Sequence, residues 1–284
     1  LSKTNTRLIL RDDPEYPNLL KEIPLAPHAI YVRGKLPEKE ALSLAIVGTR
    51  KVTPDGEEIA YEFGKFLAGQ NITIVSGLAL GADSAAHRGA LKTGRTVAVL
   101  ATGVDNPYPH MNKKLAQDII VSGGALISEY PICSTPFPSR FLERNRIVSG
   151  LSKAIVVVEA PENSGSLVTA RFALDQNREV FVVPGPAGHS NYKGSQALIR
   201  EGARLVSSPN EILEDLNLTP VAKTLLGHES NESGILSVVQ VSGPLEFDEI
   251  VELTKLETAT VNRILSTLLI DGRIKETSHG YKIT

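Results

Sequence analysis

From residue 43 to residue 206 the chain alternates short, nearly all-apolar runs with longer amphipathic stretches, the mark of βαβ units. The runs at 44–47, 72–75, 96–100, 125–128, 154–159, 179–183 and 203–206 have strand length. Stretches near 55–68, 82–92, 113–121, 138–149, 166–176 and 195–200 have helical spacing. Residues 155–158 are apolar at every position, as suits a strand buried on both faces of a parallel sheet. A doubly wound parallel α/β sheet is therefore expected over residues 43–215.

The flanks differ from this core. Residues 1–42 form a proline-punctuated entry segment, where Pro14, Pro17, Pro24, Pro27 and Pro37 break any long helix, with a short strand expected at 29–32. Residues 216–232 follow a closing helix and read as a linker. Helical apolar spacing at 235–241, 247–253 and 258–270, then a hairpin at 273–283 turning at His279-Gly280, outlines a small winged helix-turn-helix over 233–284. The chain begins with Leu and not Met, which leaves room for a segment ahead of it.

Composition narrows the classes of function. With 284 residues, 42% hydrophobic and 22% charged, the chain can bury one large core and a smaller one, and it is neither disordered nor collagen-like. Thirty Lys and Arg against 32 Asp and Glu leave a net charge of −2, so a polyanionic partner must be met by a local patch. The single Cys133 makes no internal disulfide and no zinc cluster, in keeping with a reducing compartment. No apolar run nears the roughly 20 residues of a membrane span. A soluble, cytoplasmic protein with no membrane contact, no metal and no cofactor is expected.

In a doubly wound sheet, ligands bind beyond the carboxyl ends of the strands, where helix starts offer N–H groups to anions. The loops expected there are rich in Gly and polar residues. They are Gly48-Thr49-Arg50-Lys51, Ser76-Gly77 through Gly81-Ala82-Asp83, Thr102-Gly103 with Asp105, Asn163-Ser164-Gly165-Ser166, and Pro184-Gly185 with Lys193-Gly194-Ser195. A single such glycine needs no more than a tight turn to explain it. Five loops on one edge favour phosphate recognition. No G-x-G-x-x-G follows the first strand and no G-x-x-x-x-G-K-S/T occurs, which disfavours dinucleotide and Walker-type ATP binding.

A second signal runs from Phe137 to Arg146, where Arg140, Arg144 and Arg146 accompany Phe137 and Phe141 in a chain with 5% aromatics and no Trp. Arginine neutralises phosphates, and a phenylalanine stacked on an unpaired base contributes about 1–3 kcal/mol. The same spacing also allows both phenylalanines to pack in the core while the arginines pair with Glu143.

On these residues the sequence resembles the DprA/Smf family of DNA-processing proteins. The resemblance rests on Gly48-Thr49-Arg50, on Ser76-Gly77 through Asp83 and His87, on Phe141 followed by Arg144-Asn145-Arg146-Ile147-Val148-Ser149-Gly150, and on Gly165-Ser166-Leu167-Val168-Thr169-Ala170. Tyr16-Pro17, Tyr31 through Gly34, Pro184-Gly185 and Glu201-Gly202-Ala203 fit as well, over about residues 13–215. It implies an extended Rossmann-like domain that binds single-stranded DNA, forms a homodimer, and protects incoming DNA while loading RecA recombinase in natural transformation. Carried over by position, it implies Gly48, Thr49 and Arg50 as phosphate contacts and Phe141 as a stacking residue. Asn145 and Arg146 lie in the same motif, Ser164, Gly165 and Ser166 open a helix, and Lys193 is a further phosphate contact. Related sequences can carry a basic residue three positions before the aromatic; here Pro138 stands there, and Arg140 is the nearest cation.

The resemblance implies a binder with no catalytic residue. The alternative is a nucleotide-binding or nucleotide-hydrolysing Rossmann-like enzyme, which would need a carboxylate at the loop edge, with Asp83, Asp105, Glu143 and Glu159 as candidates. The related nucleotide phosphoribohydrolases carry P-G-G-x-G-T, where this chain has Glu162-Asn163-Ser164-Gly165-Ser166. His87 and His110 have no neighbours at metal-ligand spacing and read as packed or hydrogen-bonded residues. Tyr108, between two prolines, reads equally as a loop residue and as a side chain at the ligand edge. In the tail, residues 228–284 carry five cations against nine anions, and 258–270 has only Arg263, so that domain is expected to contact protein and not duplex DNA.

Overall fold

The computed structural model describes residues 5–38, 41–219, 231–277 and 280–283. The chain divides into two compact units, Leu1–Pro220 and Val221–Thr284.

The first unit is built as the apolar alternation requires. β3 (Ser43–Val47), β4 (Thr73–Ser76), β5 (Thr96–Val99), β6 (Ala125–Ser128), β7 (Ala154–Val157) and β8 (Glu179–Val182) pair in parallel, with the two-residue β9 (Arg204–Leu205) at one edge. Between them run α2 (Pro54–Gly69), α3 (Ala82–Thr93), α4 (Lys113–Val121), α5 (Pro138–Gly150), α6 (Gly165–Asp175) and α7 (Lys193–Arg200), followed by α8 (Pro209–Asp215). The central strands are buried at every position because helices cover both faces. Apolar clusters lie on both sides of the sheet: Ile155 and Val157 face one, Val156 and Val158 another, and Ala98 and Leu126 of β5 and β6 belong to a third.

The entry segment extends this sheet, which the expected start at residue 43 did not include. β1 (Thr6–Leu10) pairs antiparallel with β2 (Ala29–Gly34), and β2 pairs antiparallel with β6. The short α1 (Asn18–Lys21) joins them and turns Leu20 into the core. Tyr16 is buried between the prolines and donates to the Pro27 carbonyl at 2.7 Å. Prolines here shape the connection while strands form on either side of it.

The strand order among the described residues is β1-β2-β6-β5-β4-β3-β7-β8-β9. From β3 the chain builds outward to β4, β5 and β6, then returns to place β7 on the other side of β3. Adjacent helices therefore leave in opposite directions at the β3/β7 boundary, and a crevice opens beyond the carboxyl ends of those two strands.

The second unit contains α9 (Asn231–Ser242), α10 (Phe247–Thr254), α11 (Thr258–Ile270) and the antiparallel pair β10 (Ile274–Thr277) and β11 (Gly280–Ile283) around its own apolar core. This is the helix-helix-helix-hairpin order of a winged helix. A capping box between Glu246 and Glu249 starts α10, and Lys255 ends it in the left-handed conformation. Of the linker expected at 216–232, residues 220–230 lie outside the described residues, and its last two residues already belong to α9; His279 also lies outside them.

Candidate nucleic-acid interface

The crevice at the β3/β7 boundary is a cleft of about 560 Å³ lined by the loops after β3, β4 and β7, by one face of α5 and by Tyr108. Its geometry is set by close backbone approach. A Cβ on Gly48 would stand 2.7 Å from the Ala82 Cβ, so only glycine lets the β3 loop lie against α3. Gly81, at φ +77°, meets the Thr49 carbonyl in the same way.

Glu159 fastens the loops together. It stands two residues past the end of β7, is fully buried, and accepts hydrogen bonds from the Thr53 hydroxyl and N–H, from Asn191 Nδ2 at 2.8 Å and from the Tyr192 hydroxyl at 2.9 Å. Burial pushes its carboxyl up, but these donors outweigh burial and hold it below the usual carboxylate value. Thr53 in turn caps α2, accepting from Gly56 N–H at 3.1 Å. The other carboxylates weighed for catalysis are also engaged by the chain. Asp83 accepts from the N–H groups of Gly77 and Ala79, at 3.0 and 3.2 Å, Asp105 from Cys133 N–H at 2.9 Å, and Glu143 from the Tyr130 hydroxyl at 3.0 Å.

α5 supplies the cleft with a face of 3.6-residue period. Phe141, Arg144, Asn145 and Val148 line it, at i, i+3, i+4 and i+7. Asn145 donates to the Gly165 carbonyl at 3.1 Å and ties α5 to the start of α6. Ser164 caps α6, with its hydroxyl 2.7 Å from that of Ser166. A Cβ on Gly165 would touch nothing within 4 Å, so packing inside the chain does not demand glycine there. The Arg50 guanidinium stands 5.5 Å from the centre of the Phe141 ring, and the Tyr108 ring meets the same ring edge to face at 5.7 Å.

The cleft thus gathers eight of the expected residues: Gly48, Thr49, Arg50, Phe141, Asn145, Ser164, Gly165 and Ser166. Three others stand elsewhere. Arg146 points away from this face of α5, where it pairs with Glu129, and both side chains are largely buried. Arg140 donates to the Thr135 carbonyl at 2.9 Å and lies over the Tyr130 ring. Lys193 lines a separate open groove with Glu162, Gln196 and Arg200.

The arginine of the motif that does reach the cleft is Arg144, which the sequence reading named without a role. Its side chain donates to the carbonyls of Gly77 and Val99. Burial lowers its pKa to about 10, the Asp83 carboxylate opposing and Arg50 adding to the effect, so it remains a cation at neutral pH. The helical period counted from Phe141 was the signal that could have singled it out. His87 is fully buried, with Nδ1 2.6 Å from the Thr96 hydroxyl.

Such a cleft combines exposed Arg50 and Lys51, a buried cation at its floor, two aromatic rings and the start of α6. Phosphates and unpaired bases match those features together. The profile of the family described as DNA recombination-mediator protein A matches residues 7–217. This chain belongs to the DprA/Smf family. The DprA winged helix domain matches residues 210–280. Protein Smf of Escherichia coli is 45% identical over 217 residues, which are 76% of this chain and 58% of that protein. DNA processing protein DprA of Streptococcus pneumoniae is 39% identical over 204 residues, covering 72% of each chain. The chain spans little more than half the length of several of these relatives. The X-ray structure of the pneumococcal DprA superposes with a TM-score of 0.70 at 36% identity, over 75% of this chain and 76% of that one. Helicobacter pylori DNA processing protein A, whose structure was described for its single-stranded DNA binding mode, superposes at 0.67 with 29% identity, over 76% and 97%.

Among the described residues, no group of three or more His, Cys, Asp and Glu side chains is placed to hold a metal ion, and no helix is long and apolar enough to cross a membrane.

Proposed function

We propose that this DprA/Smf chain binds single-stranded DNA in the β3/β7 cleft and passes it to RecA recombinase during natural transformation. The observation that carries the reading is the shared position of Arg50, Phe141 and the start of α6 on one cleft. Phosphates lie against Gly48, Thr49, Arg50, Ser164, Gly165 and Ser166, and a base stacks on Phe141 beside Asn145. Arg140 and Lys193 meet the strand where it leaves the cleft, and Arg146 acts through the packing of α5 against Glu129. The family and the single-strand binding described for the Helicobacter pylori relative support this reading. The protein acts in the cytoplasm as a homodimer, whose paired clefts raise affinity through effective concentration. The acidic winged-helix unit makes protein contacts.

The test is affinity for single-stranded DNA across a salt series. Arg50→Ala flattens the salt slope by about one unit, and Phe141→Ala weakens binding by about 1–3 kcal/mol with the slope unchanged. Equal affinity for single strands and duplex, unaffected by either change, overturns the reading.

A further inference from the structure

Tyr108 is an exposed aromatic outside the motifs that carry the family resemblance, and it lines the same cleft as Arg50 and Phe141. It stands on a stiff support. Pro107 and Pro109 restrict the backbone on either side. A 3₁₀ turn, His110–Asn112, follows, and the buried Asn112 donates to the Leu78 carbonyl and the Ser84 hydroxyl, both at 2.8 Å. The Tyr108 loop is thereby fixed to the β4–α3 connection that forms another wall of the cleft. The His110 ring packs edge-on against Tyr108 with centres 5.9 Å apart.

The Tyr108 and Phe141 rings are inclined at 62° with their centres 5.7 Å apart. Consecutive bases within a duplex are nearly parallel, at about 3.4 Å spacing. Bases lying on these two rings take the inclination of the rings and lose contact with each other. A single strand allows that by rotating its backbone; a duplex would have to unpair. We propose that Tyr108 is a second base-contacting residue and that its corner with Phe141 holds two consecutive bases out of mutual stacking, so that the cleft refuses duplex DNA by shape. The inference rests on the single-strand reading above and assigns the origin of its selectivity.

The test uses the full chain with a 20-nucleotide deoxythymidine strand, the same strand with abasic sites, and a duplex of equal length. Tyr108→Ala is expected to weaken binding of the thymidine strand about 5- to 150-fold with the salt slope unchanged. Tyr108→Phe keeps the affinity, and the abasic strand binds wild type and Tyr108→Ala alike. A strand with two adjacent 2-aminopurines loses its exciton-coupled circular dichroism on binding to wild type, because the pair is pulled apart. Persistence of that signal in the bound strand overturns the proposal without recourse to any variant. So does wild-type affinity in Tyr108→Ala while Phe141→Ala is weakened, an outcome that leaves the single-strand reading standing. An equal loss on abasic and normal strands assigns Tyr108 to packing and also overturns it. If wild type does not prefer single strands to duplex, the underlying reading fails with it.

Discussion

His87 and Glu159 show how single buried groups set the acid limit of the fold. Burial holds the His87 imidazole down to about 3, with Arg144 and Arg88 adding to the effect, and among the described residues no partner reaches its Nε2. Between pH 6.5 and 3 the unfolded chain therefore takes up a proton that the native chain refuses. Stability falls as the pH is lowered through that window. Glu159 acts in the same direction at lower pH, because its native form stays ionised below the usual carboxylate value. In urea unfolding followed by circular dichroism from pH 7 to 4, His87→Leu is expected to flatten the pH dependence by up to about 1.4 kcal/mol per pH unit. An unchanged slope would mean that His87 is protonated in the native state.

Between elements, two glycines decide how closely α2 and α3 approach. A Cβ at Gly89 would lie 1.9 Å from the Tyr61 carbonyl, and one at Gly64 would lie 2.4 Å from that of Ala86. Gly89→Ala gains about 1 kcal/mol of helix propensity and forces two backbones apart at a cost of about 1–3 kcal/mol or more. A melting temperature lowered by several degrees is expected for Gly89→Ala, whereas Gly165→Ala, at an open helix start, leaves it unchanged or raised; equal melting of the two would refute the close-packing account. The central strands were legible because burial on both faces makes them apolar throughout, as at 155–158. β1 was not, because it is an edge strand with Leu8 and Leu10 turned outward, and its partner is set by the tertiary fold. In the site, Phe141 and Asn145 were readable from the resemblance. The turn of Arg144 into the cleft and of Arg146 away from it follow from helical phase and from Glu129, which stands 17 residues earlier, just past β6, and is brought against α5 only by the fold.

At the scale of the whole molecule, every cleft residue belongs to the first unit. The surplus of anions over cations at residues 228–284 works against any contribution of the second unit to phosphate binding. A chain ending at residue 219 is therefore expected to keep its single-strand affinity within about threefold, measured by fluorescence anisotropy at fixed salt, because the tail supplies no surplus of cations to release counterions. A larger loss would show that the winged helix touches the DNA. The polarity of the parallel sheet has a practical consequence for attaching the protein to a surface. The turns that lead into β4, β5, β6 and β7 all lie at the end opposite the cleft, and Ser122 is exposed in one of them. The native thiol, Cys133, is exposed beyond the carboxyl end of β6, the same end as the cleft. Moving the single thiol from Cys133 to position 122 would give a tether that leaves the binding edge facing solution, ready for a strand to be drawn through it under force.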